Sequence, residues 1–346
     1  VHLLMKKTFY AAKINVHENI FNQNLQEIIR VHIPKAILAM PTIRVNSFNL
    51  SFTDVVETIF EGNRIIAGNI TKSKHSSQKV RIGSSTNIVK SEYELAKTSF
   101  FVYHPESEII CYEVNSSIND DEFRSFFTKI LSRDNIIGEV IIKTIPEPYK
   151  IRSEIQAMQT VTTIHFQLIH PNPGKDAFNL YNKIIKDNQL KELEIKMFNK
   201  KGVVLRSTLP VIEEFSGQNE EVIILKPYID LNEEKDKSMP NPIFDNGAET
   251  GEFNESIENG ISLVESGYGA VSIKGFDEIT IPSAGKGKRK KKIKKNRFFS
   301  SQRSVRMIKT DEYSQERLIR RIINFIQDVK NKVIKEGEQN DTTEPL

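Results

Sequence analysis

Between Thr8 and Val16 apolar residues stand at every second position, Tyr10, Ala12, Ile14 and Val16, the pattern of a strand with one buried side. From residue 20 to about 100 the pattern is mixed. "NLQEIIRV" has helical spacing, "IRVNSFNLSF" and "RIIAGNI" read as short strands, and "TKSKHSSQK" reads as a polar loop. Beyond residue 98 it sharpens. "SFFVY" and "EIICYEV" flank "HPES", whose proline, serine and acid favour a turn, so 98–114 is predicted to be a β-hairpin. Asn119 and Glu122 then occupy the two positions of a capping box. Phe123, Phe126, Phe127, Ile130 and Leu131 follow at three- and four-residue spacing, the stripe of a helix that faces a core. "IGEVIIKTI" and "TVTTIHFQLI" read as strands with a helical stretch after Pro148 between them, and "HPNPG" ends the second ahead of a helix over about 175–190. "LEIKMF" and "VVLRSTL" bracket "NKKG" as a second hairpin.

Further on, "NESIENGISLVESGYGAVSIKGFD" reads as a short helix and a strand at 268–274, and "RSVRMIK" as another strand. "DEYSQERLIRRIINFIQDVKNKVIK" is a long amphipathic helix with Leu318, Ile322, Ile326, Val329 and Val333 along one face and Gly337 as its stop. That stripe needs a surface: a second copy or partner protein is expected, with docking onto the chain's own sheet as the alternative. Interleaved helices and strands with recurring hairpins predict an α+β protein. Its sheet or sheets should be largely antiparallel or mixed with helices on one face, a ferredoxin-like or related layered fold. The expected organisation is an N-terminal α+β region (1–97), a central α+β core (98–212), an acidic flexible insert (213–256) and a helix and strand returning to the core (257–281). A basic flexible loop (282–302), a strand with the long helix (303–337) and a disordered tail (338–346) complete it.

Charge changes this picture more than composition does. The net charge of +4 conceals residues 213–258, with thirteen acids against three basic residues, and residues 284–309, with twelve lysines and arginines and no acid. Segments of opposite sign attract, so contact between insert and basic run is expected in the free protein. The single cysteine, Cys111, excludes an intramolecular disulfide framework and fits a reducing compartment. No stretch approaches the roughly 20 apolar residues of a membrane span. The first residues are too short an apolar run for a signal peptide, so a cytoplasmic location is expected. Val1 ahead of Met5 leaves the true start open.

Candidate chemistry is sparse. "SAGKGKRK" lacks the spacing that wraps backbone amides round a phosphate, and "GYGAVSIKG" lacks the third glycine of a dinucleotide fingerprint. The histidines show no metal-ligand spacing and Cys111 has no partner, so no metal site and no cofactor are expected. His104 and His170 each leave a strand just before a proline, where histidine is ordinarily structural or exposed; neighbouring strand ends would let them share a groove. Glu194 and Lys196 lie two apart on a strand and share a side, the placement that metal-dependent nucleases of the restriction-endonuclease type use for Mg²⁺ and for the attacking water. A further acid would come from Asp176 or Asp187. In the basic run, Lys286, Lys288, Arg289, Lys290, Lys291, Lys292, Lys294, Lys295, Arg297 and Arg303 can neutralise phosphates, and Phe298 and Phe299 can stack on exposed bases. A solvated loop or an anionic lipid contact are the other readings, the latter weakened by the lack of an apolar helical face.

From about 98 to 175 the order of "FFVYHPESEIICYEV", "DDEFRSFFTKIL", "GEVIIKTIPEP" and "LIHPNPG" resembles a family of bacterial proteins of unknown function that occur near mobile elements and phage-defence genes. The resemblance implies a cytoplasmic bacterial α+β protein with a role against phage or foreign nucleic acid, and it brings no catalytic residues. The expectation is a non-enzymatic nucleic-acid-binding or sensing component of an anti-phage system, DNA or RNA undecided. Alternatives are a Mg²⁺-dependent nuclease effector using Glu194 and Lys196, and a protein scaffold subunit.

Overall fold

A computed structural model of the chain describes residues 6–17, 24–172, 190–204, 255–281, 291–312 and 314–338, with scattered positions over 181–188 and two short paired segments. It divides into two compact units: Val1–Ile145 with Pro171–Ala177 and Val305–Leu346, and Pro146–His170 with Phe178–Ser304. Among the described residues, no helix is long and apolar enough to cross a membrane.

The first unit begins with β1 (Lys7–Val16), α1 (Leu25–Glu27), which continues through a π-turn into α2 (Ile33–Leu38), and β2 (Thr42–Val45). β3 (Phe48–Phe60), β4 (Asn63–Ile82), β5 (Ser85–His104), β6 (Ile109–Val114), α3 (Asp120–Leu131) and β7 (Val140–Thr144) follow. β14 (Met307–Thr310) and α6 (Gln315–Glu338) close the unit. The eight strands form one antiparallel sheet in the order β14-β1-β6-β5-β4-β3-β2, with β7 also on β1. Asn119 caps α3 in a full capping box with Glu122, as its spacing predicts.

Both faces of this sheet are covered, which corrects the expectation of helices on one face. Phe101, Tyr103 and Tyr112 pack with Phe123 and Phe127 of α3 and with Ile28, Ile29 and Ile33. Phe100, Val102 and Cys111 pack on the other side with Leu318, Ile322, Ile326 and Val329 of α6. The reason lies in β5, where Phe100–Tyr103 is apolar without a break, so each face needs its own cover. The C-terminal stripe expected for a second copy or partner is thus buried on the chain's own sheet, while Val333 lies outside the described side chains.

The supposed polar loop "TKSKHSSQK" is strand. It belongs to a β4–β5 ribbon whose third-strand pairings end early, β3 reaching Ser73 on β4 and β6 pairing with β5 only from Phe101. Between Lys74 and Thr98 none of the described side chains is buried, so there is no buried face and no period-two pattern to read.

At the end of β5, a buried constellation fixes the turn. Lys13 Nζ lies 3.3 Å from Glu108 Oε2, and Asn172 Nδ2 donates to the same oxygen at 2.8 Å and to the Ile14 carbonyl at 2.9 Å. Val16 N–H returns a bond to Asn172 Oδ1 at 3.2 Å. The asparagine of "HPNPG" is a latch onto β1 as well as a strand break.

The second unit contains α4 (Lys150–Gln156), β8 (Thr160–Ile169), β9 (Glu192–Val204), the short pair β10 (Arg206–Ser207) and β11 (Pro227–Tyr228), α5 (Glu255–Glu265), β12 (Gly269–Ile281) and β13 (Lys291–Ser300). Its antiparallel sheet has the order β13-β12-β8-β9. Ile164, Phe166, Leu168, Val271 and Ile273 are buried on one face, where α5 lies so close that a Cβ at Gly260 would come within 2.8 Å of the Phe166 ring. Two expectations are corrected here. "LEIKMF" and Val203–Val204 form no hairpin: both pair with β8, the register jumping from Thr163↔Phe198 to Val161↔Val203 so that "NKKG" bulges out. The basic run is not a loop throughout, since Lys291–Ser300 is strand. β12 sets Asp277 opposite Lys295 and Glu278 opposite Lys294, and such opposite-charge cross-strand pairs favour the ladder.

Residues 282–290, nearly all of the acidic insert, most of the helix expected over 175–190, and the tail 339–346 lie outside the described residues. The expected contact between insert and basic run lies there as well.

Candidate nucleic-acid interface

Antiparallel partners point to the same face of a sheet, so register alone assembles the second unit's open face. One row crosses all four strands: Phe198 on β9, Thr163 on β8, Lys274 on β12 and Phe298 on β13. The next row reads Lys196, His165, Ser272 and Ser300, and the one after it Glu194, Gln167 and Ala270. Phe198 is 67% exposed and Phe298 52% exposed, and they stand three strand spacings apart, roughly 14 Å. Phe276 lies two residues along β12 with Lys294 Nζ 4.2 Å above its ring centroid. The Arg303 guanidinium approaches Phe298 at 5.6 Å. Aromatic rings and cations thus share one uncovered surface.

The expected site residues separate under this geometry. Phe298 and Phe299 are neighbours on a strand and must face opposite ways; Phe299, at 8% exposure, lies on the covered side. Arg297 turns to that side too, donating to Asp277 Oδ2 at 3.2 Å and to the Ala157 carbonyl at 3.1 Å. Both are corrections to the set expected to meet nucleic acid. Lys294, Lys295 and Arg303 are exposed. Lys291 and Lys292 lie on the strand with side chains outside the description, and Lys286, Lys288, Arg289 and Lys290 fall outside the described residues altogether. Sequence reading missed Phe198, Lys274 and Phe276. The period of two in "LEIKMF" puts Glu194, Lys196 and Phe198 on one side, and that signal was available.

Glu194 and Lys196 do share this open face on the outermost strand. Glu194 accepts from Gln167 Nε2 at 3.1 Å and lies 3.8 Å from His165 Nε2, so its contacts are an amide and an imidazole. Asp176 and Asp187 lie outside the described residues, and among the described residues no three His, Cys, Asp or Glu side chains gather as a metal site. His104 belongs to the first unit and His170 to the second. His104 is 3% exposed; its Nδ1 accepts the Ser107 backbone N–H at 3.1 Å, and its Nε2 lies 3.4 Å from Asn63 Oδ1. These bonds hold the β5–β6 turn with a neutral ring, whose pKa is lowered chiefly by burial.

Residues 5–220 match a family described as "Domain of unknown function (DUF4747)", which takes in β1 through β10. No curated protein matches the chain.

Proposed function

The chain belongs to the DUF4747 family, and we propose that it binds single-stranded nucleic acid on the open face of its four-stranded sheet, holding the strand without cutting it. The observation that carries this reading is the row Phe198–Thr163–Lys274–Phe298, with exposed rings at its two ends and a lysine between them. Bases offer every aromatic ring a face to stack on, and the phosphates that link them take the cations, so a sheet with rings and lysines on one side suits an unpaired strand. Lys294 and Arg303 continue the positive surface along β13 and its exit, while Lys295, paired with Asp277, lies on the side of Arg297 and Phe299. The wider setting, a bacterial system directed against phage or foreign nucleic acid, rests on the resemblance of residues 98–175 and is part of the proposal.

Fluorescence anisotropy with a short labelled single strand tests it. Replacing Phe198 and Phe298 together by alanine is expected to weaken binding by about tenfold or more, with the melting temperature unchanged, because neither ring is buried. A wild-type protein that binds no single strand at low salt, or a double variant that binds as well as wild type, overturns the reading. Incubation with Mg²⁺ is expected to leave the labelled strand whole; cleavage that Glu194→Ala abolishes would replace binding by the nuclease alternative.

A further inference from the structure

The β4–β5 ribbon of the first unit carries charge and apolar surface that its fold does not use. Residues 77–90 hold Lys79, Arg81 and Lys90 and no acid. The pairs Ser77↔Lys90, Lys79↔Ile88 and Arg81↔Thr86 place all three cations on one face of the ribbon with Ile88 among them, 70% exposed. Two strands with no third neighbour are marginal in water on their own, and this pair extends well past the last strand that flanks it.

We propose that the tip of this ribbon is a duplex-binding arm: it enters a groove of double-stranded nucleic acid, with Lys79, Arg81 and Lys90 on the phosphates and Ile88 toward the base edges. A two-stranded β-ribbon fits the major groove of B-form DNA, which is about 12 Å wide, so the duplex is DNA. The six residues from 77 to 82 reach roughly 20 Å, enough to lie along it. A second copy of the chain fits less well. It would bring cations to meet cations, and the apolar side chains of the opposite face, Val80, Ile82 and Val89, bury far less than the about 1,200 Å² of a stable interface. The inference does not depend on the single-strand surface, which belongs to the other unit.

The test uses the full chain, a short labelled duplex and a single strand of the same length, titrated over a range of salt. Lys79→Ala, Arg81→Ala and Lys90→Ala combined should lower the slope of log affinity against log salt for duplex by about 0.9 for each phosphate no longer neutralised, while single-strand affinity stays as it was. Replacing residues 76–93 by Asn-Gly, a two-residue hairpin turn, should do the same with a larger fall in affinity. The Phe198 and Phe298 double variant should lose single strand and keep duplex, so either reading can fail alone. Three results overturn the arm: no duplex binding by wild type at low salt, a triple variant with an unchanged slope, or a wild-type dimer that becomes a monomer when the arm is shortened.

Discussion

Two Phe-Phe pairs sit on antiparallel strands and end in different surroundings. On β5, Phe100 faces the sheet side covered by α6 and Phe101 the side covered by α3, and both are buried. On β13, Phe299 faces the covered side and is buried, while Phe298 faces a side on which it stays half exposed. The dipeptide is the same and the alternation is the same. What differs among the described residues is the helical cover, which the first sheet has on both faces and the second has from α5 on one. In the first unit both phenylalanines of the pair hold the fold; in the second Phe299 does, and Phe298 is the one that the single-strand proposal assigns to a base.

The most damaging change should be on the doubly covered sheet. Phe101 makes edge contacts with Phe52, Phe123 and Phe127 at ring-centroid distances of 5.8, 6.4 and 5.7 Å. Phe101→Ala should cost about 3–5 kcal/mol in urea denaturation, since a cavity is left among rings already packed from both sides. An effect near that of an exposed residue would mean that the first sheet is as open as the second. On the covered side of the second sheet, Gly260→Ala should cost about 1–3 kcal/mol by the same measurement, because its methyl would collide with the Phe166 ring and α5 must lift to admit it.

The two phenylalanines of β13 should divide stability from binding. Phe298→Ala should leave the denaturation midpoint nearly unchanged and weaken single-strand binding by about 1–3 kcal/mol, roughly 5- to 150-fold in Kd, measured by anisotropy. Phe299→Ala should do the reverse, lowering the midpoint. If both weaken binding equally without loss of stability, β13 is not fixed in the register that separates them.

How far the sequence could be read follows from the same comparison. Strands and helices that bury a face announce it: Asn119, Glu122 and the phenylalanines of α3 specify a capped helix and its packing side, and "SFFVY" with "EIICYEV" specifies the hairpin at 98–114. The distal β4–β5 ribbon buries nothing, so "TKSKHSSQK" looks like loop. Much of β13 is read as a basic flexible loop because its partner acids, Asp277 and Glu278, stand on another strand. That Phe298 and Phe299 diverge is legible from a period of two. Which of them meets solvent is not, because the answer depends on α5 and on the β12 register. The row from Phe198 to Phe298 joins residues a hundred positions apart and exists only once the sheet is assembled.

The smallest effect expected is a dependence on pH that the covered sheet should show through one residue. His104 is buried beside the β5–β6 turn, and burial is the main cause lowering its pKa, with Lys330 acting in the same direction and Glu106 against it. The unfolded chain, with an ordinary histidine pKa of about 6.5, therefore takes up the proton before the folded chain does. His104 thus contributes no pH dependence well above that value. As pH falls below about 6.5 the folded state loses stability, and the loss levels off once pH passes the depressed folded value. For one proton the slope is at most about 1.4 kcal/mol per pH unit. Asparagine can place Oδ1 where Nδ1 accepts the Ser107 N–H, so His104→Asn keeps that bond and removes the titration. Urea midpoints taken from about pH 7.5 down to about pH 5 should show wild type losing ground to the variant on the acid side. Parallel curves would mean that the imidazole is as well solvated as a surface histidine, and that the first sheet is less closed at this end than its buried turn indicates.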